Sequence, residues 1–327
     1  MNNLLRTAKN FDSLTNEGWC QCTSPAISVV VSLYNYSAYI TACLDSVRFS
    51  DLTGLPGGVE VVVVDDGSMD DSVAVVEKFM AAQPLPLCLV RKKFNSGVSD
   101  TRNLGVQFSR APFIFVLDAD NLIRPDCLAA HHRALTGLSD CAFAYGIIDC
   151  FDQASRKFTG RLSDREWSVR DLVARPYIDA MAMFRKEILL QLGGYSPEFG
   201  VVLPSGCEDY DLWLKLAQAG HVGKFLPQVV GDYRVHPQSL IRTGLPYERK
   251  LAVYFSRKFL PLLGVHNDLP TWFGVPREEV AAMNGQELDL RFRPDPKKAR
   301  LAHRLLGEKF CRSLGKRLAR IYCWLQP

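Results

Sequence analysis

Apolar positions along the first third of the chain follow two alternating rhythms. Ile27–Leu33 is a β-branched run, too short for a typical helix and bounded by turn-forming residues, and it predicts a strand. Ser37–Val47 then carries Ile40, Cys43, Leu44 and Val47 at helical spacing. Val59–Val64 is apolar without alternation, the pattern of a strand covered on both faces. A helical period over Asp70–Ala82, a strand over Leu85–Val90, a helix over Gly97–Phe108 and a strand over Phe113–Leu117 continue the series. Such alternation predicts an α/β fold with a mostly parallel sheet and helices on both faces. Right-handed crossovers bring successive strand ends to one edge of it.

The pattern changes on either side of this core. Residues 1–24 are polar and mixed and read as an irregular arm. After Pro125 a helix is expected, then a strand at Cys141–Ile148, a polar hairpin-like stretch at Asp149–Asp164 and mixed elements to His236. Past Gly244 the chain reads as helices broken by loops containing Pro and Gly. The expected units are an arm (1–24), a main domain (25–244, in halves 25–121 and 122–244) and a helical basic extension (245–327).

Composition narrows the class. With 47% hydrophobic and 23% charged residues the chain is globular. No run approaches the roughly 20 apolar residues of a membrane-spanning helix. Met1–Asn10 has cations but no apolar core or small-residue cleavage site, so a cytoplasmic protein with reduced thiols is expected. Of ten cysteines only Cys20 and Cys22 are close, and no zinc-binding spacing occurs. The net charge of +4 divides unevenly: residues 291–327 hold 11 Lys and Arg against Asp295 and Glu308, so the rest of the chain is acidic.

Ligands of open α/β sheets bind beyond the carboxyl ends of the strands. The predicted strands deliver Ser32-Leu33-Tyr34-Asn35, Asp65-Asp66-Gly67-Ser68 and Asp118-Ala119-Asp120 there. Carboxylates two residues apart at a strand end suit a hard divalent cation, which in turn grips phosphate oxygens. The same residues also suit plain turns and helix caps.

Taken together and in order, Ile27–Asn35, Val63–Ser68, Asn95–Gly105 and Leu117–Asn121 resemble the nucleotide-sugar half of family 2 glycosyltransferases, inverting enzymes of the GT-A fold. The similarity covers about residues 25–240. It implies a nucleotide-sugar half over 25–121 and an acceptor half over 122–244. It also implies nucleotide-sugar binding by Ser32, Tyr34, Asp66, Arg102, Asp118 and Asp120, with a divalent cation, Mn²⁺ or Mg²⁺, on Asp120. Arg102 lies near the diphosphate in that reading; otherwise it forms an ion pair to Asp66 or Asp118.

In the acceptor half, Gly206–Leu216 reads as an acidic helix start with an apolar face. Acids there also suit the helix macrodipole. By resemblance Asp209 is the catalytic base and Glu208 its neighbour on sugar or acceptor, whereas Asp211 is structural or solvated and Trp213 is core. Tyr233-Arg234-Val235-His236 matches a family motif whose histidine completes the metal site. The implied reaction moves a sugar from a nucleoside-diphosphate donor, by default a UDP-sugar, to the hydroxyl of a glycan, lipid-linked or protein acceptor. A sugar-1-phosphate nucleotidyltransferase is disfavoured because no glycine-rich loop with Arg and Lys follows the first strand. A non-catalytic binding protein is disfavoured by the intact Asp66, Asp120 and Asp209. In the tail, residues 297–325 place Leu306, Phe310, Leu314, Leu318 and Ile321 on one helical face and cations elsewhere, a pattern that suits an anionic membrane surface. Nucleic acid is not an expected partner, since no aromatic platform accompanies the charges.

Overall fold

The computed structural model describes residues 10–199, 206–237 and 248–284. The elements in chain order are β1 (Phe11–Thr15), α1 (Glu17–Gln21), β2 (Ile27–Leu33), α2 (Ile40–Arg48), β3 (Val59–Asp65), α3 (Ser72–Ala82), β4 (Leu87–Lys92) and α4 (Val98–Phe108). Next come β5 (Phe113–Asp118), β6 (Leu122–Ile123), α5 (Cys127–Gly137), β7 (Cys141–Asp152), β8 (Phe158–Leu162) and α6 (Val169–Ala174). They are followed by β9 (Ala182–Arg185), α7 (Lys186–Gln191), α8 (Glu208–Gln218) and β10 (Val222–Val235). The described C-terminal part adds helices over Glu248–Lys258, Leu260–Val265 and Arg277–Met283 and a short strand pair, Thr271–Trp272 with Val275–Pro276.

The main sheet runs β1-β4-β3-β2-β5-β9-β7-β10-β6, with β8 hairpinned onto β7. Strands β4, β3, β2 and β5 are mutually parallel, as are β7 and β10. β9 is antiparallel to both β5 and β7, so the two parallel groups run in one direction and present their carboxyl ends on one edge. The uniformly apolar strands divide their residues between two faces by the strand period of two. Val29, Val31, Val61 and Val63 enter one buried cluster, while Val30, Ile114 and Val116 enter another. Helix α4 lies so close to β2 that a Cβ on Gly105 would sit 2.3 Å from Val30 Cγ1, so only glycine fits there.

Two expected boundaries are redrawn. The arm over 1–24 is not irregular across its described part: β1 pairs antiparallel with β4 as an edge strand. Four of its five residues are exposed, which erases the hydrophobic alternation that betrays a half-buried strand. Phe11 packs edge-on to Phe108 at 5.5 Å. The division after residue 244 does not separate two cores, because Leu251, Val253, Phe255, Phe259 and Val280 join the cluster that holds Leu212, Trp213 and Leu216 of α8. Residues 297–325 lie outside the described residues. Among the described residues no helix is long and apolar enough to cross a membrane.

Candidate active site

Turn chemistry builds the first side of the site. Asp65, ending β3, accepts hydrogen bonds from the backbone N–H groups of Gly67 (3.2 Å) and Ser68 (3.1 Å), which folds the chain back at the sheet edge. Asp66 is thereby presented to the loop before α4. Its Oδ1 accepts from Ser96 N–H and its Oδ2 from Gly97 N–H, both at 2.9 Å. The buried Lys92 ammonium lies 2.7 Å from Asp66 and 2.8 Å from Asp100. Gly67 has φ +73°, and a Cβ there would meet the Phe94–Asn95 backbone at 2.9 Å. Its missing side chain therefore admits the neighbouring loop.

Beside it, the ends of β2 and β5 meet through Ser32, whose hydroxyl donates to Asp118 Oδ1 at 3.0 Å. Arg102 rises from α4, fully buried, and forks between two carboxylates: Nη2 to Asp118 at 2.8 Å and Nη1 to Glu208 at 2.9 Å. Of the two ion-pair partners expected for it, Asp118 is found, and Asp66 is paired with Lys92 instead. The fork couples β5 to the first turn of α8, although Arg102 and Glu208 are 106 residues apart in sequence.

Asp120 reaches a third region. Pairing of β6 with β10 sets the chain after Asp120 against the end of β10. Arg234 donates from its backbone N–H to Asn121 Oδ1 (3.0 Å) and from Nε to the Asp120 carbonyl (2.8 Å). His236, just past β10, then lies with Nε2 2.8 Å from Asp120 Oδ2. The rings of Tyr36 and Tyr39 pack against it at 5.6 and 5.2 Å. Burial raises the Asp120 carboxyl above its ordinary value, against the pull of the His236 hydrogen bond.

This pair fits a divalent cation. A carboxylate oxygen of Asp120 and an imidazole nitrogen of His236 lie 2.8 Å apart, a mixed O and N donor set of the kind divalent metals take. Among the described residues no three His, Cys, Asp or Glu side chains gather as a complete cage. An ion bound by one or two protein groups plus substrate phosphates and water needs no such cage.

On the acceptor side, Glu208, Asp209 and Asp211 fill the first turn of α8, where the macrodipole favours acids. Glu208 is held by Arg102 and by Gly206 N–H at 2.8 Å. Among the described residues no ion pair reaches Asp209. Burial first, then the Glu208 and Asp179 carboxylates, raise its pKa well above the ordinary range, with Arg102 opposing them. Asp179 belongs to the same field. Burial and the Asp118 charge push it up to about 7, and its carboxylate accepts from Met181 N–H at 2.9 Å.

Ser32, Tyr34, Asp66, Asp118 and Asp120 line one open cleft at the sheet edge. Arg102, Glu208, Asp209 and His236 lie outside its wall; Arg102 is joined to it through Asp118, Glu208 through Arg102, and His236 through Asp120. Asp211 is wholly buried and Trp213 is core. Asp179 and Lys92 were not singled out from the sequence. An isolated charged residue inside or ending an apolar segment was the only available signal.

These motifs extend to other proteins. The model of glycosyl transferase family 2 matches residues 28–193, just over half of the chain. The chain belongs to that family. It is 26% identical over 207 residues to a chondroitin synthase of Escherichia coli, a match covering 61% of this chain and 28% of the synthase. The chain thus spans under a third of that relative's length. Among solved structures, S. aureus TarS 1-349 in complex with UDP-GlcNAc superposes with TM-score 0.58 at 20% identity, over 72% of this chain and 66% of that 1-349 chain. The mannosyltransferase PcManGT of Pyrobaculum calidifontis, in complex with GDP-Man and Mn²⁺, superposes with TM-score 0.52 at 18% identity, over 95% and 84% of the two chains. The family 2 chain therefore has the GT-A fold, with helices flanking a large, mostly parallel sheet.

Proposed function

We propose that this family 2 chain transfers a sugar, with inversion, from a nucleoside-diphosphate donor to an acceptor hydroxyl in glycoconjugate synthesis. One observation carries the reading: of the neighbouring acids at the start of α8, Glu208 is paired with a buried arginine that also holds Asp118, while among the described residues no ion pair reaches Asp209. A carboxylate whose pKa is raised above the ordinary range, as burial and the Glu208 charge raise that of Asp209, is a stronger proton acceptor in its ionised form. Asp209 takes the acceptor hydroxyl's proton as that oxygen attacks the anomeric carbon. The bond from that carbon to the diphosphate oxygen breaks on the opposite face, and its electron pair leaves with the diphosphate. Ser32, Tyr34 and Asp66 take the nucleoside, and Asp118 with Asp179 takes ribose or sugar hydroxyls. A divalent cation at Asp120 and His236 would offset the negative charge of the leaving diphosphate. UDP is the proposed base, supported by the UDP-GlcNAc complex of TarS, and Mn²⁺ the proposed metal, supported by its presence with PcManGT. The tail over 297–325 is proposed to lie on anionic lipid. Sedimentation with phosphatidylserine vesicles should be salt-sensitive, and unbound protein at low salt would sink that part.

The deciding experiment measures UDP binding with Mn²⁺ and release of UDP from a panel of UDP-sugars. Asp209→Asn is expected to bind UDP as the native chain does and to lose about 10²–10⁴-fold in turnover. Near-native turnover in that variant would remove Asp209 from the role of base.

A further inference from the structure

A second, partly buried set of charges grips the same turn of α8 and uses a residue beyond the family match, Lys258, in the last turn of the helix Glu248–Lys258. Its ammonium lies 2.6 Å from Asp211 Oδ1 and 3.0 Å from Glu198 Oε1. It also donates to Ser196 Oγ at 3.0 Å and to the Tyr254 hydroxyl at 3.1 Å. The Ser196 hydroxyl donates in turn to Asp211 Oδ2 at 2.5 Å. Lys215, one helical turn after Asp211, completes the set: it lies 3.5 Å from Asp211 and donates to the Gly194 carbonyl at 2.9 Å. Two cations thus balance two carboxylates, with Asp211 wholly buried between them. The network ties three segments that the sequence separates: the loop over 194–198, the start of α8 and the C-terminal helix.

Geometry gives the network a consequence for the reaction. Glu208 and Asp211 are three residues apart, on one face of α8, and each is gripped by a cation, the buried Arg102 or the partly buried Lys258. Asp209 stands on the other side of the helix from Asp211, since two residues turn about 200°. Two grips on the buried face fix the angle at which Asp209 leaves the opposite one. A carboxylate about 5 Å from the helix axis moves about 1 Å when the helix turns by about 10°. A misplacement of about 1 Å can cost on the order of 10²-fold in rate.

We propose that Lys258 is a positioning residue for Asp209, acting through Asp211 and the loop over 194–198. This rests on Asp209 being the base. The test compares Lys258→Met, Lys258→Arg, Glu198→Gln and Asp209→Asn in the full chain, using the UDP-sugar that the native chain turns over best. Turnover is followed as released UDP, and helix order as hydrogen–deuterium exchange of peptides within 206–218. Lys258→Met is expected to lose about 10²-fold in kcat with donor KM and UDP affinity unchanged, and to exchange faster over 206–218 but not over 27–33. Lys258→Arg keeps the charge and reaches both carboxylates, so it should recover most of the loss. Should Lys258→Met not fold, Glu198→Gln, which keeps shape and removes one charge, should show the same split to a smaller degree. A folded Lys258→Met or Glu198→Gln with native kcat and native exchange overturns the proposal, as does equal loss of stability and donor binding without a kcat effect. An active Asp209→Asn would instead overturn the base assignment, and an inactive one beside a native Lys258→Met would overturn the brace alone.

Discussion

His131 of α5 sits wholly inside the protein, its Nδ1 2.7 Å from the Cys127 carbonyl and its ring edge-on to Phe115 at 5.2 Å. Among the described residues Nε2 has no hydrogen-bond partner. Burial lowers its pKa to about 4, so the folded protein holds it neutral where the unfolded chain, titrating near 6.5, takes up a proton. The folded state therefore binds fewer protons between these values. The stability is fully present above about pH 6.5 and is lost as pH falls toward about 4, by about 3 kcal/mol in all. Urea unfolding at pH 7.5 and pH 4.5 checks this: His131→Leu should remove that share of the pH dependence, and an unchanged slope would refute it. The residues of the cleft were legible at this scale because Ser32, Asp66, Asp118 and Asp120 end apolar runs. Asp179 was not, because one acid between Ile178 and Ala180 has no period to mark it.

The edge strand β1 shows what elements draw from outside themselves. Its exposed residues offer little burial, and the turn after it rests on Asn16. The Asn16 side-chain Oδ1 accepts from Trp19 N–H, capping α1, and from Leu87 N–H, both at 3.0 Å; its Nδ2 donates to the Leu85 carbonyl at 2.8 Å. Asp12 pairs with Arg91 at 2.5 Å, but in solvent. Asn16→Ala should therefore cost about 1–2 kcal/mol by loss of the cap and its partners. Asp12→Asn should cost no more than about 1 kcal/mol, because exposed ion pairs contribute little. Thermal unfolding of the two variants compares these losses, and an equal or reversed order would refute the account. Only the pairing across the sheet makes a strand of Phe11–Thr15, so its own pattern could not reveal it.

At the level of the whole molecule, the helices over 248–284 complete the core under α8. Phe255 packs edge-on to Tyr210 at 5.1 Å and stacks on Phe199 at 6.0 Å. A chain ending at residue 244 would expose these rings and leave Asp211 without the Lys258 charge. It should be insoluble or lack a cooperative thermal transition, and a soluble truncated chain with native UDP affinity and a sharp transition would show the shared core to be dispensable. The expected boundary came from a change of pattern after Gly244 to helices broken by loops containing Pro and Gly, and such a pattern records a segment's local structure more readily than the core it shares.

The sequence by itself determined the α/β alternation, the edge where ligands gather and most of the cleft's acids, because these follow from periods of two and 3.6 and from turn residues at strand ends. Tertiary structure alone decided which acids are paired. The reversed β9 and the contact of β6 with β10 bring Asp120 to His236, and Arg102 and Lys258 pair with Glu208 and Asp211, while among the described residues no ion pair reaches Asp209. Charge pairing depends on separations of a few ångströms between residues a hundred positions apart, and no local pattern encodes those distances.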